Sequence, residues 1–252
     1  MMKDLVRRAS ILFGLALLGA PGWGEVPSQG FEVPFQGFEG GQLYLLHQAS
    51  SDIRVRGTST VNRWACVQNT LGGLIAVDLD RQTLLDRIAG LLEESSESGE
   101  GLSNLEGDVD AEIWVQVDAK GLDCNNGRIK KDLLEAIRAK AHPTIDYHFE
   151  ALVEAPKLGR DEHGKYLEVK SRGMLSVGGK DRKTEHMTEV RLEGAASIEL
   201  KGQINLRMSD YDIEPPTAFF GLVRADNSFQ VEYHIVIDTH ESVLVSSLPQ
   251  VP

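Results

Sequence analysis

At 252 residues with a formal net charge of −12, the chain is long enough to bury a full core as one all-β domain plus short extras. The acidic balance excludes nucleic acid and an anionic membrane surface as partners, because counterion release needs clustered Lys and Arg. It suits a soluble, weakly associating protein, a monomer or dimer.

The first expected element is an export signal over residues 1–24. Arg7 and Arg8 precede an apolar run at 11–20, and Gly22-Trp23-Gly24 offers a small-x-small cleavage site. The run is short for a bilayer span, so the mature chain is expected to carry no transmembrane segment. A retained anchor is the competing reading. No Cys follows the run, which argues against a lipid-modified N-terminus, and Arg7-Arg8 adds a weak twin-arginine cue. The expected destination is the periplasm or the medium. Residues 25–41 are rich in Gly, Pro and Phe, and Gln29-Gly30-Phe31-Glu32 recurs as Gln36-Gly37-Phe38-Glu39. Two copies are too few for a repeat fold, so a flexible tether is expected, with a docking motif as the alternative.

A barrel domain is expected over residues 42–240. Ile53, Val55, Gly57, Ser59 and Val61 share one strand parity, and Trp64 ends the segment. Gly72-Gly73 reads as a turn before a short buried strand at 74–79. Asp80 can cap a helix in which Leu84, Leu85, Ile88, Leu91 and Leu92 form the apolar stripe. An acidic, solvated loop follows at 93–101. Val109, Ala111, Ile113, Val115 and Val117 alternate with polar residues as the next strand. A second helix is expected over 128–141 with Ile129, Leu133, Leu134 and Ile137 on one stripe, stopped by Pro143. Ile145, Tyr147 and Phe149 then alternate with Asp146, His148 and Glu150. Further strands are predicted at 166–177, 184–192, 196–208, 218–224 and 229–238. Turns are expected at 160–164, at Gly178-Gly179-Lys180 and at Asp226-Asn227-Ser228. The total is eight or nine strands and two helices, followed by a loose tail at 241–252.

Cys66 and Cys124 are the only cysteines. An even count in an exported chain is read as a bridge, and closing a loop of this length stabilises a fold by roughly 4 kcal/mol. A reactive thiol is the competing reading.

Signals for catalysis are absent, and the chain is read as a non-enzyme. Gly57-Thr58-Ser59-Thr60-Val61 lacks the second Gly of a nucleophile elbow and lies in strand pattern. Asp210, Asp212 and Glu214 alternate like calcium ligands, but the central Gly is missing and Gly221 stands where the closing Glu belongs. The seven His are scattered with no pair at metal-ligand spacing, and His148 and His234 take outward strand parity. There is no phosphate loop and no dinucleotide fingerprint. No catalytic, metal-ligating or cofactor residues are assigned.

Several segments together resemble the YceI-like family. Gly57-Thr58-Ser59-Thr60-Val61-Asn62-Arg63-Trp64 resembles its opening strand. Lys131-Asp132-Leu133-Leu134-Glu135-Ala136-Ile137 followed by His142-Pro143-Thr144-Ile145 resembles its helix and following strand. Gly173-Met174-Leu175-Ser176-Val177-Gly178-Gly179 resembles a later strand and turn. Ser209-Asp210-Tyr211-Asp212-Ile213-Glu214-Pro215-Pro216 resembles its late Pro-Pro segment. The order and spacing agree over about residues 43–238. The resemblance implies a mainly β, lipocalin-like antiparallel barrel of about eight strands with two short helices. It also implies an exported protein in which some members hold a polyisoprenoid or isoprenoid quinone. Fold does not imply function. The chain departs from the family pattern in the helix near Leu84, in its two cysteines and in its tail. That helix is placed to cover one mouth of the barrel.

A barrel of eight strands either fills its interior or holds one small ligand. The inward parity carries Gly57, Ser59, Ala111, Ser171, Gly173, Ala196 and Gly202, which leaves volume unfilled unless these glycines mark bulges and corners. With the resemblance, the expectation is an apolar, chain-like ligand, to which each buried CH₂ contributes about 0.8 kcal/mol. The residues expected to line its cavity are Val55, Trp64, Ile113, Val115, Tyr147, Phe149, Leu175, Val177, Leu200, Ile204, Phe219, Phe229, Val231, Tyr233 and Ile235. Tyr147 and Tyr233 are also candidates to bond a head group. The alternative function is a protein-interaction or envelope-stress module that uses the barrel as a scaffold. A third is an enzyme acting on bound lipid through Asp210, Tyr211 and Asp212.

Overall fold

A computed structural model describes residues 42–46, 48–69, 71–77, 79–93, 111–194, 196–218 and 220–244. The expected export signal, the segment 25–41, Val109, most of the acidic loop, Phe219 and the end of the tail lie outside the described residues.

The strands are β1 (Gln42–Leu46), β2 (Asp52–Ser59), β3 (Arg63–Gln68), β4 (Leu71–Val77), β5 (Ala111–Asp118), β6 (Thr144–Leu152), β7 (Lys157–Asp161), β8 (Gly164–Val177), β9 (Lys180–Glu193), β10 (Ser197–Arg207), β11 (Thr217–Ala218) and β12 (Val223–Leu244). Two helices interrupt them, α1 (Arg81–Glu93) and α2 (Gly127–Ala136). Every strand pairing is antiparallel. The hydrogen-bonded path runs β1-β4-β5-β6-β8-β9-β10-β12, and β12 pairs back onto β1, so eight strands close a circuit. That is the predicted barrel. The remaining strands are extensions of it: β7 forms a hairpin with β8, β11 pairs the start of β12, and β2–β3 continue from the first half of β12.

Strand β12 explains how the ring closes. Its first half pairs β2, from Ala225↔Ser59 to His234↔Asp52, and its second half pairs β1, from Ile237↔Leu46 to Leu244↔Gln42. The free edge of β3 is then left beside the segment after β5. Val67 and Asp123 exchange both backbone hydrogen bonds there, at 2.7 and 2.8 Å, and Gln68 Nε2 donates to the Asp118 carbonyl at 3.0 Å. Cys66 and Cys124 form a disulfide across the same seam. Both are buried, so the bridge occupies core space as well as linking the edge.

The helices start where the sequence predicts. Asp80 accepts from Thr83 N to cap α1, and Asn126 accepts from Arg128 N and Ile129 N to cap α2. Helix α2 stops earlier than expected, at Ala136, because Arg138 takes the left-handed region at φ 55° while its guanidinium donates to the Tyr211 carbonyl.

Several expected turns are strand instead. Gly72-Gly73 lies inside β4; the missing side chain at Gly73 leaves room for Leu46, which a methyl group there would strike. Asp226-Asn227-Ser228 lies within β12 as a bulge, where the register shifts between Ala225 and Phe229. Thr58 Oγ1 donates to Asp226, and Asn227 bonds Ser209 twice, so side chains hold the irregularity in place. The expected strand at 218–224 is broken by Phe220 (φ 56°) and Gly221 (φ 88°). Strands β3 and β7 were not foreseen, being five or six residues long with little alternation. Past residue 240 the chain stays in strand to Leu244, because β1 offers it a partner. Gly178-Gly179, with φ of 57° and 77°, makes the predicted tight hairpin between β8 and β9.

Candidate internal cavity

The barrel interior is not filled. A cavity of about 790 Å³ runs through it, a volume typical of small-molecule sites. Fourteen of the fifteen residues predicted to line a cavity border it: Val55 on β2, Trp64 on β3, Ile113 and Val115 on β5, Tyr147 and Phe149 on β6, Leu175 and Val177 on β8, Leu200 and Ile204 on β10, and Phe229, Val231, Tyr233 and Ile235 on β12. Phe219 lies outside the described residues. The common cause is strand parity: each points to the same face of a sheet that curls around that face.

Both helices contribute to the wall. Leu84, Arg87, Ile88 and Leu91 of α1 border the cavity, so this helix crosses the barrel interior's rim as its stripe predicts. From α2 come Arg128, Ile129, Asp132, Leu133 and Ala136. The charged side chains at the cavity, Arg87, Arg128 and Asp132, all stand on these helices, and the strands present none.

The inward glycines have a different purpose from either one expected. Gly57, Gly173 and Gly202 are neither open volume nor corners. A methyl group on Gly57 would collide with the Trp64 indole, on Gly173 with the Tyr147 ring, and on Gly202 with the Tyr233 hydroxyl. Trp64 and Tyr233 stand directly across from their glycines in the ladder, while Tyr147 pairs Leu175 and leans diagonally over Gly173. Each glycine lets a large ring lie flat on the wall. Ser59, Ala111 and Ser171 do border the cavity, whereas Ala196 is buried away from it.

Laying Tyr233 flat brings its hydroxyl to β9. Tyr233 Oη shares a 2.6 Å hydrogen bond with Thr188 Oγ1. The His186 ring sits in edge contact with both tyrosines, centroids 5.3 Å from Tyr147 and 5.7 Å from Tyr233. Its Nε2 lies 3.5 Å from Ser171 Oγ. Burial pushes the His186 pKa down to about 4 and the Tyr147 pKa up to about 12, and it raises that of Tyr233. All of these side chains are uncharged near neutral pH. Ser171 was expected on the inward face, whereas His186 and Thr188 were not predicted. Their signal was present, since Thr184, His186, Thr188, Val190 and Leu192 share a parity, but β9 is otherwise so polar that its inner face is hard to read.

His186 gives an acid-dependent prediction. Its folded pKa is about 4 against an ordinary 6.5, so the unfolded chain binds the proton first as pH falls. Stability is therefore lost through that window, by roughly 2 kcal/mol from about pH 7 to about pH 5. Denaturant melts of the protein and of His186→Gln are expected to differ by this much in their pH dependence. Equal slopes would mean that His186 is solvated.

The compact polar group at 210–212 is elsewhere. Tyr211 is buried in the core cluster with Met208 and Ile213, Asp212 pairs with Lys180 at 2.6 Å, and Asp210 is exposed. None of the three borders the cavity, which removes them as a catalytic group at its mouth. His148 and His234 face outward as expected, His148 against Trp114 and His234 bonded to Glu199 at 2.7 Å. Among the described residues no three His, Cys, Asp or Glu side chains gather in metal-binding reach, and no helix is long and apolar enough to cross a membrane.

No family model matches the sequence, and no curated protein does. Solved structures do match. A polyisoprenoid binding domain from Saccharophagus degradans, implicated in plant cell wall breakdown, superposes with a TM-score of 0.52 at 9% identity, covering 78% of this chain and 98% of that one. BcnA of Burkholderia cenocepacia gives 0.49 at 12% identity over 76% of this chain and 98% of its own. The YCEI protein of Campylobacter jejuni gives 0.38 at 14% identity over 52% and 73%. At such identities the likeness concerns fold alone. The chain has the fold of the polyisoprenoid binding domain, the antiparallel barrel that its resemblance to the YceI-like family implies.

Proposed function

We propose that the protein is an exported carrier that holds one apolar, chain-like lipid inside its barrel, for transport or storage in the cell envelope. The observation that carries this reading is the 790 Å³ cavity with its strand-borne lining of Val, Leu, Ile and aromatic side chains. An apolar cavity of this size is costly to leave empty, because its lining lacks contacts on one side. A prenyl chain would restore those contacts at about 0.8 kcal/mol per methylene. The structural neighbour named as polyisoprenoid binding supports the same ligand class.

The ends of the barrel fit passage of such a ligand. Val61, Phe220 and Leu222 are exposed, and Thr60 Oγ1 donates to the Leu222 carbonyl, which ties the two loops together. Val61 and Val223 also border the cavity, so the apolar surface continues from outside to inside.

Native mass spectrometry of the mature protein, purified without detergent, tests the reading. One bound species whose extract shows a prenyl mass ladder is the expected result. An apo mass that persists after incubation with quinones and polyprenols would leave a barrel acting through its surface.

A further inference from the structure

Among the described residues, four large apolar side chains are exposed: Val61, Met187, Phe220 and Leu222. Three of them stand on two joined turns. Val61 is in the turn between β2 and β3, and Phe220 and Leu222 are in the turn between β11 and β12. Thr60 fastens one turn to the other. Its N donates to the Arg224 carbonyl at 3.0 Å, and its Oγ1 donates to the Leu222 carbonyl at 3.3 Å and accepts from Arg224 N at 3.2 Å. Phe220 is 109% exposed, so its ring packs on nothing in the chain. It also takes the left-handed region at φ 56°, which is an outlier for a bulky residue. An aromatic ring held out in this way marks an interaction site.

Resting on the carrier reading above, we infer that this rim docks on a bilayer of zwitterionic phospholipid, with Phe220 and Leu222 in the acyl boundary. Continuity with the cavity points to that partner. Val61, Asn62, Thr217 and Val223 of the same two segments border the cavity, so a chain leaving the bilayer meets apolar surface from the rim inward. The shape of the patch agrees. Three side chains on turn tips offer on the order of 400 Å², about half of the roughly 800 Å² that each partner gives to a stable protein interface. A fluid acyl boundary takes up such isolated tips. Arg63 and Arg224 are exposed on the outer parity beside the rim, next to the cavity-bordering Trp64 and Val223, and neither pairs with a described carboxylate. Both suit the lipid phosphates. The net charge of −12 makes an anionic surface the wrong one.

Flotation of the mature protein with phosphatidylcholine vesicles tests the docking. Uptake of geranylgeraniol from cyclodextrin, without vesicles, tests the carrier reading separately. The parent is expected to float. Phe220→Ser combined with Leu222→Ser is expected to weaken vesicle binding about 100-fold. Both side chains are exposed and neither borders the cavity, so the unfolding midpoint and geranylgeraniol uptake are expected to match the parent. A parent that stays in solution, or equal flotation of parent and double variant, overturns the docking, and geranylgeraniol uptake then leaves the carrier reading standing. Flotation with phosphatidylglycerol vesicles alone overturns it in favour of adsorption by charge. A concentration-dependent dimer that the double variant loses, without flotation, overturns it in favour of contact between two copies. Flotation that the double variant loses, in a protein that takes up no geranylgeraniol, upholds the docking and removes the carrier reading.

Discussion

Leu200→Trp is expected to empty the barrel while leaving it folded. Leu200 lies on β10, paired with Val190 and Ile235, and its side chain borders the cavity. An indole there projects into space that a chain would occupy. Displacing only three methylenes lowers affinity by about 2.4 kcal/mol, roughly 60-fold. The added ring enters a void and not a packed core, so the denaturant midpoint is expected to stay within about 1 kcal/mol of the parent. Lipid extracted per mole of protein and the unfolding midpoint, read on the same sample, separate the outcomes. Full lipid retention in a folded variant counts against an internal ligand. A stability loss of about 2–3 kcal/mol, with no change in bound lipid, would mean that the interior is packed at Leu200.

Removing the disulfide is the second large effect. Cys66 and Cys124 are separated by 58 residues, and a bridge of that span restrains the unfolded chain by roughly 4 kcal/mol. It also crosses the seam between β3 and the segment after β5. Strand β3 has β2 on one side, and on the other the Val67–Asp123 bridge and the Gln68 contact. The double substitution Cys66→Ala with Cys124→Ala is therefore expected to lower the unfolding free energy by about 4 kcal/mol and to speed release of bound lipid. Loss of less than about 1 kcal/mol, with unchanged release, would show that the backbone bridge alone closes the seam. Thiol labelling of the intact protein is expected to be negligible, because both sulfurs are held in the disulfide.

The barrel was legible because alternation is a local property. Phe229, Val231, Tyr233 and Ile235 state their inward face without reference to any other strand, and the same holds for Ile113 and Val115 on β5. For that reason the expected lining coincides with residues that border the cavity. The helix starts were equally local, since Asp80 and Asn126 cap within three residues of themselves. The errors fall where partners are distant. Asp226-Asn227-Ser228 has turn composition, but β2 on one side and Ser209 on the other hold it in strand. Gly72-Gly73 reads as a turn until Leu46 is brought against it. The continuation to Leu244 depends on β1, nearly two hundred residues earlier.

By itself, then, the sequence determined the strand faces, the two helix starts and an apolar interior, because periodicity and capping act over a few residues. Only the tertiary structure decided what the inward glycines are for, how the seam is closed and where His186 meets the two tyrosines. A glycine looks the same in a bulge, a turn or beneath a tyrosine. The difference is set by Tyr147 reaching Gly173 and Tyr233 reaching Gly202 from neighbouring strands, and by His186 meeting both rings. Those contacts exist only once the sheet has curled far enough to bring β6, β9 and β12 around one cavity.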